Sequence, residues 1–238
     1  MFRNMKLSTG ITIAITIIVI TCMGVLFYTS NSSITKVLSN NAVDNMITSL
    51  EAKTQIIEDY IESSESVLLA FSKASDLREY LKAVDNSELQ TAAQTYTEQY
   101  FADLKDWEGI YLAEWSSHVI THSKKDVVGI TTREGDGLKA LQNTMLTTEG
   151  VYNTGILLSP ASKQLVLSMY CPIFDSDGKT PLGFVGGATI ALNLKTVLDK
   201  LTINGSENVK DTLINVNTGS YIFDDNEELM STQIEDSM

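Results

Sequence analysis

The most regular alternation of hydrophobic and polar residues lies between Gly150 and Leu194. From Gln164 to Phe174 one face is apolar and the other is mixed, the two sets being Leu165, Leu167, Met169 and Cys171, and Val166, Ser168 and Tyr170. A period of two residues is typical of a β-strand. The sequence therefore predicts a strand here, with one face in a hydrophobic core.

A turn and a second strand come after this segment. The run DSDGK at 175–179 combines short polar side chains that bond to their own backbone with a glycine for a left-handed position, which favours a tight hairpin. The returning segment, Leu182–Leu192, contains three glycines. Glycines inside a strand indicate a bulge or a close approach to the backbone. We therefore predict an antiparallel strand pair, and where a group approaches its glycines closely, that group is expected to be a ligand or a packed helix.

A helical rhythm begins at Ile34 and continues to Phe71. Two columns of mostly apolar residues repeat every seven positions: Val43, Leu50, Ile57, Ser64 and Phe71, and Ile47, Thr54, Ile61 and Leu68. This repeat predicts one long helix. The stripe is compatible with packing against a second subunit, which predicts a homodimer through the long helix, and equally with packing only against the chain's own sheet.

Shorter elements flank the hairpin. Ser87 and Gln90 match a capping box after Asp85 and Asn86, and predict a helix that ends near Lys105. The other predicted elements are strands Gly109–Trp115 and His118–Ser123, helices Asp136–Met145 and Asn193–Leu201, and a hairpin in Asp211–Phe223 that turns at 217–219. Helices mixed with antiparallel strands define an α+β fold class.

The segment Leu7–Tyr28 contains no charged residue and predicts a transmembrane helix, because about 20 apolar residues cross a bilayer. Arg3 and Lys6 precede it and acidic residues dominate the chain after Tyr28, so the positive-inside rule places residues 1–6 in the cytoplasm. The rest of the chain is then extracytoplasmic, anchored by one span in the plasma membrane. A cleaved signal peptide is the alternative, although its apolar core is usually only ~7–15 residues long.

Charge and cysteine content narrow the function classes. The 238 residues carry a formal net charge of −13 at pH 7, which repels phosphate backbones and disfavours nucleic-acid binding. The two cysteines, Cys22 and Cys171, fall in the membrane segment and in a predicted strand. They cannot pair with each other, and Cys171 is expected to be a small buried hydrophobe.

Motifs for metals and catalysis are weak. His118 and His122 share a strand face but lack a third ligand, so no metal site is expected. Asp175 and Asp177 begin like a calcium loop, but the later ligand positions are missing, so the segment is interpreted as a turn. No nucleophile with its base, P-loop or dinucleotide motif is present. The sequence therefore predicts no catalytic residues, no cofactor and no enzyme.

Four stretches carry a resemblance to a known family: IYLAEW, VVGITTREGDGLKALQ, GVYNTGILLSPASKQLVLSMYCPIFDSDGKTPLGFVGG and LINVNTGSYIFDDNEEL. Their order resembles the double Cache domain of bacterial methyl-accepting chemotaxis proteins, of clostridial type. The resemblance implies an extracytoplasmic ligand sensor with a PAS-like antiparallel sheet. It further implies a membrane-distal module at 30–201 and the incomplete start of a membrane-proximal module at 202–238, so that the chain is the N-terminal part of a receptor.

The resemblance also implies a ligand site. In the amino-acid-binding subgroup an Arg followed by a Trp-Tyr pair holds the ligand carboxylate, and an Asp ending the VGG strand holds the ammonium group. Here Arg133 is followed by Glu134 and Gly135, and Ala188 stands in place of the Asp. We therefore expect a small-molecule ligand of another kind, a small organic anion. The candidate ligand-binding residues are Arg133, Tyr111, Trp115, Tyr152 and Tyr170.

Each candidate has an alternative. Arg133 could clamp a carboxylate through its planar fork, or form a surface ion pair with Glu134 or Asp136. The aromatic residues could line a pocket or belong to the core. For the whole chain, the leading hypothesis is the sensor region of a chemoreceptor. The alternatives are the sensor region of a membrane diguanylate cyclase or histidine kinase, and a membrane-anchored binding domain that does not signal.

Overall fold

The computed structural model describes residues 7–159, 161–200, 212–216, 219–224, 226, 229–230 and 232–234. Helix α1 extends over Leu7–Ser72, so the predicted membrane segment and the predicted long helix are continuous. The chain divides into two compact units, of which the first extends to Ala52 and the second begins at Lys53. The predicted cytoplasmic residues 1–6, with Arg3 and Lys6, lie outside the described residues.

The first unit consists of the N-terminal part of α1. It contains an 18-residue window with mean hydropathy 2.5, which is long and apolar enough to cross a membrane by length and composition. Its large apolar side chains are exposed, as at Ile17, Ile20 and Phe27. A helix that is apolar on all sides without burying those sides in protein fits a membrane anchor.

The second unit is built on a sheet of five strands. They are β1 (Trp107–Glu114), β2 (Val119–His122), β3 (Tyr152–Leu158), β4 (Leu165–Phe174) and β5 (Pro181–Ile190). Their order is β2-β1-β5-β4-β3, and every neighbouring pair is antiparallel. This confirms the α+β fold class with an antiparallel sheet.

Helices and a small hairpin complete the unit. The helices are α2 (Ser75–Lys82), α3 (Ser87–Ala102), a 3₁₀ turn at Lys125–Val127, α4 (Gly135–Thr147) and α5 (Leu192–Lys200). Strands β6 (Leu213–Asn215) and β7 (Ser220–Phe223) form the predicted second hairpin, whose turn residues 217 and 218 lie outside the described residues. Residues 201–211 also lie outside the described residues, so the predicted boundary between the membrane-distal and membrane-proximal modules at 201/202 stays a prediction.

One face of the sheet packs on helices. Leu167, Met169 and Cys171 of β4 join a core with Leu68 and Phe71, which are fully buried at the end of α1. On the same face the Tyr60 hydroxyl lies 2.5 Å from Thr189 Oγ1, and Asn153 Nδ2 donates to Glu65 Oε1. The predicted alternation of β4 is confirmed, and Cys171 is a buried free thiol as expected.

The helix boundaries correct two predictions. Helix α2 was not predicted, although Leu77, Tyr80 and Leu81 have the i, i+3, i+4 spacing of a buried helical stripe. Helix α3 begins at Ser87, but the residue that caps it is Asn86, whose side chain accepts hydrogen bonds from the amides of Glu88 and Leu89. The capping box of Ser87 and Gln90 is therefore wrong by one position.

The β4–β5 turn is confirmed. Asp177 Oδ1 accepts from the amides of Lys179 at 2.8 Å and Thr180 at 2.9 Å, and Gly178 has a φ of +67°. These hydrogen bonds, led by that of the Thr180 amide, lower the pKa of Asp177 to about 2. The carboxylate is thus committed to the turn itself, as expected for a hairpin and not for a calcium loop.

Candidate functional site

A cavity of about 500 Å³ opens on the sheet face opposite α1; we call it the Tyr111 cavity. Its sheet wall is formed by alternating residues of the central strands, which are Tyr111 in β1, Val166, Ser168 and Tyr170 in β4, and Ala188 in β5. Thr132 and Arg133 contribute from the loop before α4. Of the five predicted ligand-binding residues, the structure brings Arg133, Tyr111 and Tyr170 to this cavity.

Tyr111 forms an aromatic wall that depends on a glycine. Gly186 of β5 pairs with Tyr111 of β1. A Cβ built on Gly186 would lie 2.2 Å from Tyr111 Cζ, so only glycine leaves room for the ring. The other side of the ring stacks on His122, with centroids 5.7 Å apart and planes at 9°. The β5 glycines are approached closely, as predicted, but at Gly186 the approaching group is the Tyr111 ring of the neighbouring strand and not the expected ligand or packed helix.

Arg133 is held by Tyr170. Its Nη2 donates to the Tyr170 hydroxyl at 3.0 Å, and its Cζ lies 5.4 Å from the centre of that ring. Among the described residues, Arg133 makes no ion pair with Glu134 or Asp136, and Asp136 instead lies 3.4 Å from Lys139. Arg133 is solvent-exposed on its other side, so most of its guanidinium donors remain available to a ligand.

Trp115 and Tyr152 are not among the residues that line the Tyr111 cavity. They pack beside it, in a small core under α4 that contains Leu141, Met145 and Phe184. Gln142 of α4 donates to the Trp115 carbonyl at 2.8 Å, and the Tyr152 ring stacks on Tyr170 at 6.3 Å. These two aromatic residues therefore pack beside the cavity, against Phe184 and Tyr170, and their role in ligand binding stays a prediction.

Several polar residues of the cavity were missed in the sequence, among them Glu108, His122 and Lys124. The β1–β5 register shifts between Trp107 and Gly109, so Glu108 is the extra residue of a bulge. The β1–β2 register shifts between Leu112 and Ala113, which allows both Val119 and His122 to line the cavity although they are three positions apart. A strict period of two cannot place residues across a bulge.

Two groups of the cavity are already hydrogen-bonded within the chain. Glu108 Oε1 accepts from Ser159 Oγ at 2.7 Å. His122 Nδ1 accepts from the Lys124 amide at 2.7 Å, which leaves its other nitrogen as the protonated one in the neutral ring. Burial raises the pKa of Tyr111, and the neighbouring Tyr170 adds to this effect, so Tyr111 remains a neutral hydroxyl.

Burial, followed by the charge of Lys124, lowers the pKa of His122 from 6.5 to about 4. Between pH 6.5 and 4, His122 is therefore protonated in the unfolded chain but stays neutral in the folded state. The free energy of unfolding is highest above pH 6.5 and decreases as the pH falls towards 4. We expect this group to contribute a loss of about 2 kcal/mol between pH 7 and 5. Urea unfolding at several pH values measures it.

The control for this prediction is a pair of variants. His122→Gln should flatten the pH dependence of the unfolding free energy, whereas His118→Gln keeps His122 and should retain it. Equal pH dependence in the parent and in His122→Gln would contradict the assignment, whatever the absolute stability of the variant.

Metal ligands do not assemble in the part of the chain that the structure describes, where no group of three His, Cys, Asp or Glu residues lies together. His118 bridges to Thr131 at the end of the sheet, and His122 faces Tyr111. The chemistry of the Tyr111 cavity is therefore that of its aromatic rings, hydroxyls and charged side chains.

No family model matches the sequence, and no curated protein matches it. Several solved structures match the fold. The V. cholerae histidine kinase DctB sensor domain is similar with a TM-score of 0.61 and 13% identity, over 80% of this chain and 69% of that one. The sensory domain of the Campylobacter jejuni chemoreceptor Tlp3, with isoleucine bound, is similar with a TM-score of 0.59 and 15% identity, over 83% and 76%.

An extracellular ligand binding receptor from Desulfohalobium retbaense is also similar, with a TM-score of 0.54 and 14% identity over 76% of this chain. The match covers only 32% of that receptor, so this chain corresponds to about a third of it. These likenesses define the class of fold, which is that of the extracellular sensor domains of chemoreceptors and histidine kinases. They confirm the fold implied by the Cache resemblance; its clostridial type stays a prediction.

Proposed function

We propose that this chain is the extracytoplasmic small-molecule sensor region of a transmembrane chemoreceptor, a methyl-accepting chemotaxis protein. The observation that carries the proposal is the Tyr111 cavity, which lies within a sensor-domain fold and presents a held arginine beside an aromatic wall. Cavities of ~300–1,000 Å³ with a few convergent polar groups are typical of small-molecule sites. A ligand signals by binding one arrangement of the receptor more tightly than another.

The ligand class we propose is a small organic anion. Arg133 offers a planar fork of donors that suits a carboxylate, and the Ser168 hydroxyl lies on the same cavity surface. Glu108 is the only carboxylate among the lining residues, and one of its oxygens is occupied by Ser159. A ligand with an anionic group and no second charge leaves no buried cation unpaired.

Membrane topology and pairing complete the proposal. Residues 7–28 form the single span, with the N-terminus in the cytoplasm and the sensor outside. Past the span, Val43, Met46, Ile47 and Leu50 of α1 are exposed at i, i+3, i+4 and i+7, the spacing of an apolar stripe that a second α1 would cover. We therefore place the homodimer contact on this stretch of the helix.

A second candidate is the sensor region of a membrane histidine kinase. The similarity to the DctB sensor domain favours it, since that domain belongs to a histidine kinase. Both candidates use the cavity in the same way and differ only in the output domain that the signal reaches.

The proposal is tested by calorimetry on the full chain purified in detergent, with matched organic acids and amino acids as titrants. We expect at least one organic acid to bind with a stoichiometry of one per chain. Light scattering on the same sample measures the dimer, and protease treatment of intact cells measures the topology. If no titrant binds or stabilises the chain, the ligand proposal is wrong. If protease treatment of intact cells leaves the mass of the chain unchanged, the proposed topology is wrong.

A further inference from the structure

A second cavity, of about 420 Å³, lies where α1 ends; we call it the Arg78 cavity. Its lining comes from the end of α1 (Ser72 and Lys73), from α2 (Arg78), from the turn after α4 (Thr148) and from the β4–β5 hairpin (Asp175 and Ser176). It shares no lining residue with the Tyr111 cavity. The two cavities are therefore separate sites.

Two cations face this cavity without an acceptor. Lys73 and Arg78 make no side-chain hydrogen bond or ion pair with any residue that the structure describes. The Nε of Arg78 is moreover buried and has no hydrogen-bond partner there. Buried polar atoms in folded proteins are almost always paired, so an orphaned guanidinium donor indicates a missing acceptor.

The other polar groups of the cavity are already engaged. Ser72 Oγ donates to the Leu69 carbonyl at 2.8 Å, and Thr148 Oγ1 donates to the Thr144 carbonyl at 2.8 Å. Asp175 accepts from the Ser176 amide and lies 3.5 Å from Lys82. The lining thus offers unpaired positive donors, while its carboxylate, Asp175, already has Ser176 and Lys82 as partners.

We infer that the Arg78 cavity binds a small oxyanion, a carboxylate or phosphate group, between Lys73 and Arg78. An oxyanion supplies the acceptors that both side chains lack, and the guanidinium fork matches its geometry. The cavity volume of about 420 Å³ leaves ample room for such a group. Because the site joins α1, α2 and the β4–β5 hairpin, the bound anion stabilises the packing of these three elements, independently of the ligand in the Tyr111 cavity.

The test uses the full chain with inorganic phosphate, and with sodium chloride at equal ionic strength as the control. Phosphate should raise the unfolding midpoint, and calorimetry should give one site per chain. Lys73→Met and Arg78→Met should each weaken phosphate binding by roughly tenfold or more. Lys73 is exposed, so its variant reports on the site even if Arg78→Met does not fold.

Arg133→Met separates the two cavities, because Arg133 lines the Tyr111 cavity and not the Arg78 cavity. Phosphate binding that survives in Arg133→Met and is lost in Lys73→Met supports the proposal. Three results would overturn it: no stabilisation by phosphate beyond that of chloride, stabilisation unchanged in Lys73→Met, or stabilisation lost in Arg133→Met. None of these results depends on which organic acid the Tyr111 cavity binds.

Discussion

Replacing Arg133 by alanine should weaken binding of an organic acid to the Tyr111 cavity by more than about thirtyfold. A ligand that covers the exposed side of Arg133 buries this charge pair, and the loss of one partner of a buried hydrogen-bonded charge pair costs ~2–5 kcal/mol, because the ligand charge is then desolvated without compensation. The guanidinium is already oriented by its 3.0 Å hydrogen bond to Tyr170, so little of its binding energy is spent on ordering it. Calorimetry on the parent and variant chains measures the difference.

The matched control for this variant is Lys139→Ala. It removes one positive charge only six positions away, but the Lys139 side chain is 74% exposed and pairs with Asp136 outside the cavity. We expect it to leave affinity unchanged within about twofold, since exposed charges contribute little. The affinity of Tyr170→Phe should lie between those of Arg133→Ala and Lys139→Ala, because this variant keeps the ring and removes only the hydroxyl that orients Arg133.

The same titrations distinguish the class of acid. An organic acid without an α-amino group should bind at least as tightly as the matching amino acid, because Ala188 offers no charge to an ammonium group. If only amino acids bind, the ligand's ammonium group has a partner in the cavity and the anion proposal is wrong. If Arg133→Ala and Lys139→Ala bind equally well, the carboxylate lies elsewhere.

A single methyl group on Gly186 should abolish measurable binding. The added Cβ would lie 2.2 Å from Tyr111 Cζ and 2.4 Å from its hydroxyl, so the ring must move. The other side of the ring is stacked on His122, and its edge meets Phe184 at 6.4 Å, which leaves the cavity as the open direction. We expect Gly186→Ala to fill part of the cavity and to lower the free energy of unfolding by ~1–3 kcal/mol.

Gly187→Ala is the control, because the Gly187 backbone lines the same cavity but its added Cβ points to the opposite side of the sheet. Its added Cβ would lie 2.8 Å from Trp107 Cζ3 and 3.3 Å from a methyl of Leu68, in the core under α1. A similar loss of stability is expected, with ligand affinity retained. Equal loss of affinity in both variants would show that strain in β5, and not the position of Tyr111, controls binding.

The added methyl can also be accommodated by removing the ring. In the double variant Gly186→Ala, Tyr111→Leu, the stability lost through Gly186→Ala should largely return, because the side chain that clashes is absent. A double-mutant cycle on the free energy of unfolding isolates this interaction. Additive effects of the two substitutions would contradict a direct clash.

Much of the sheet and part of the site could be predicted from local pattern. The period of two in β4 correctly placed Leu167 and Tyr170 on opposite faces, and the polar run at 175–179 correctly predicted the hairpin. The strand and the hairpin depend on residues close in sequence, where side-chain direction is set directly by the backbone period. Arg133 was a candidate through the family resemblance, which places a carboxylate clamp in its segment, and the structure brings it to the cavity.

The remainder depends on irregularities that no period contains. Glu108 reaches the cavity through a bulge, and a second bulge allows Val119 and His122 to share a face. Trp115 lies just past the end of β1, where strand alternation no longer fixes its direction, and it packs under α4. Tertiary packing of this kind is decided by neighbours distant in sequence.

Strand β5 has the Tyr111 cavity on one side and α1 on the other. Ala188 lines the Tyr111 cavity, while the next residue, Thr189, contacts the Tyr60 hydroxyl of α1. Successive side chains of a strand point to opposite faces. Adjacent residues of β5 therefore contact the cavity and α1, and no packed side chains lie between these two contacts. We therefore expect an occupant of the cavity that displaces β5 to change the contact between Thr189 and Tyr60 of α1 directly.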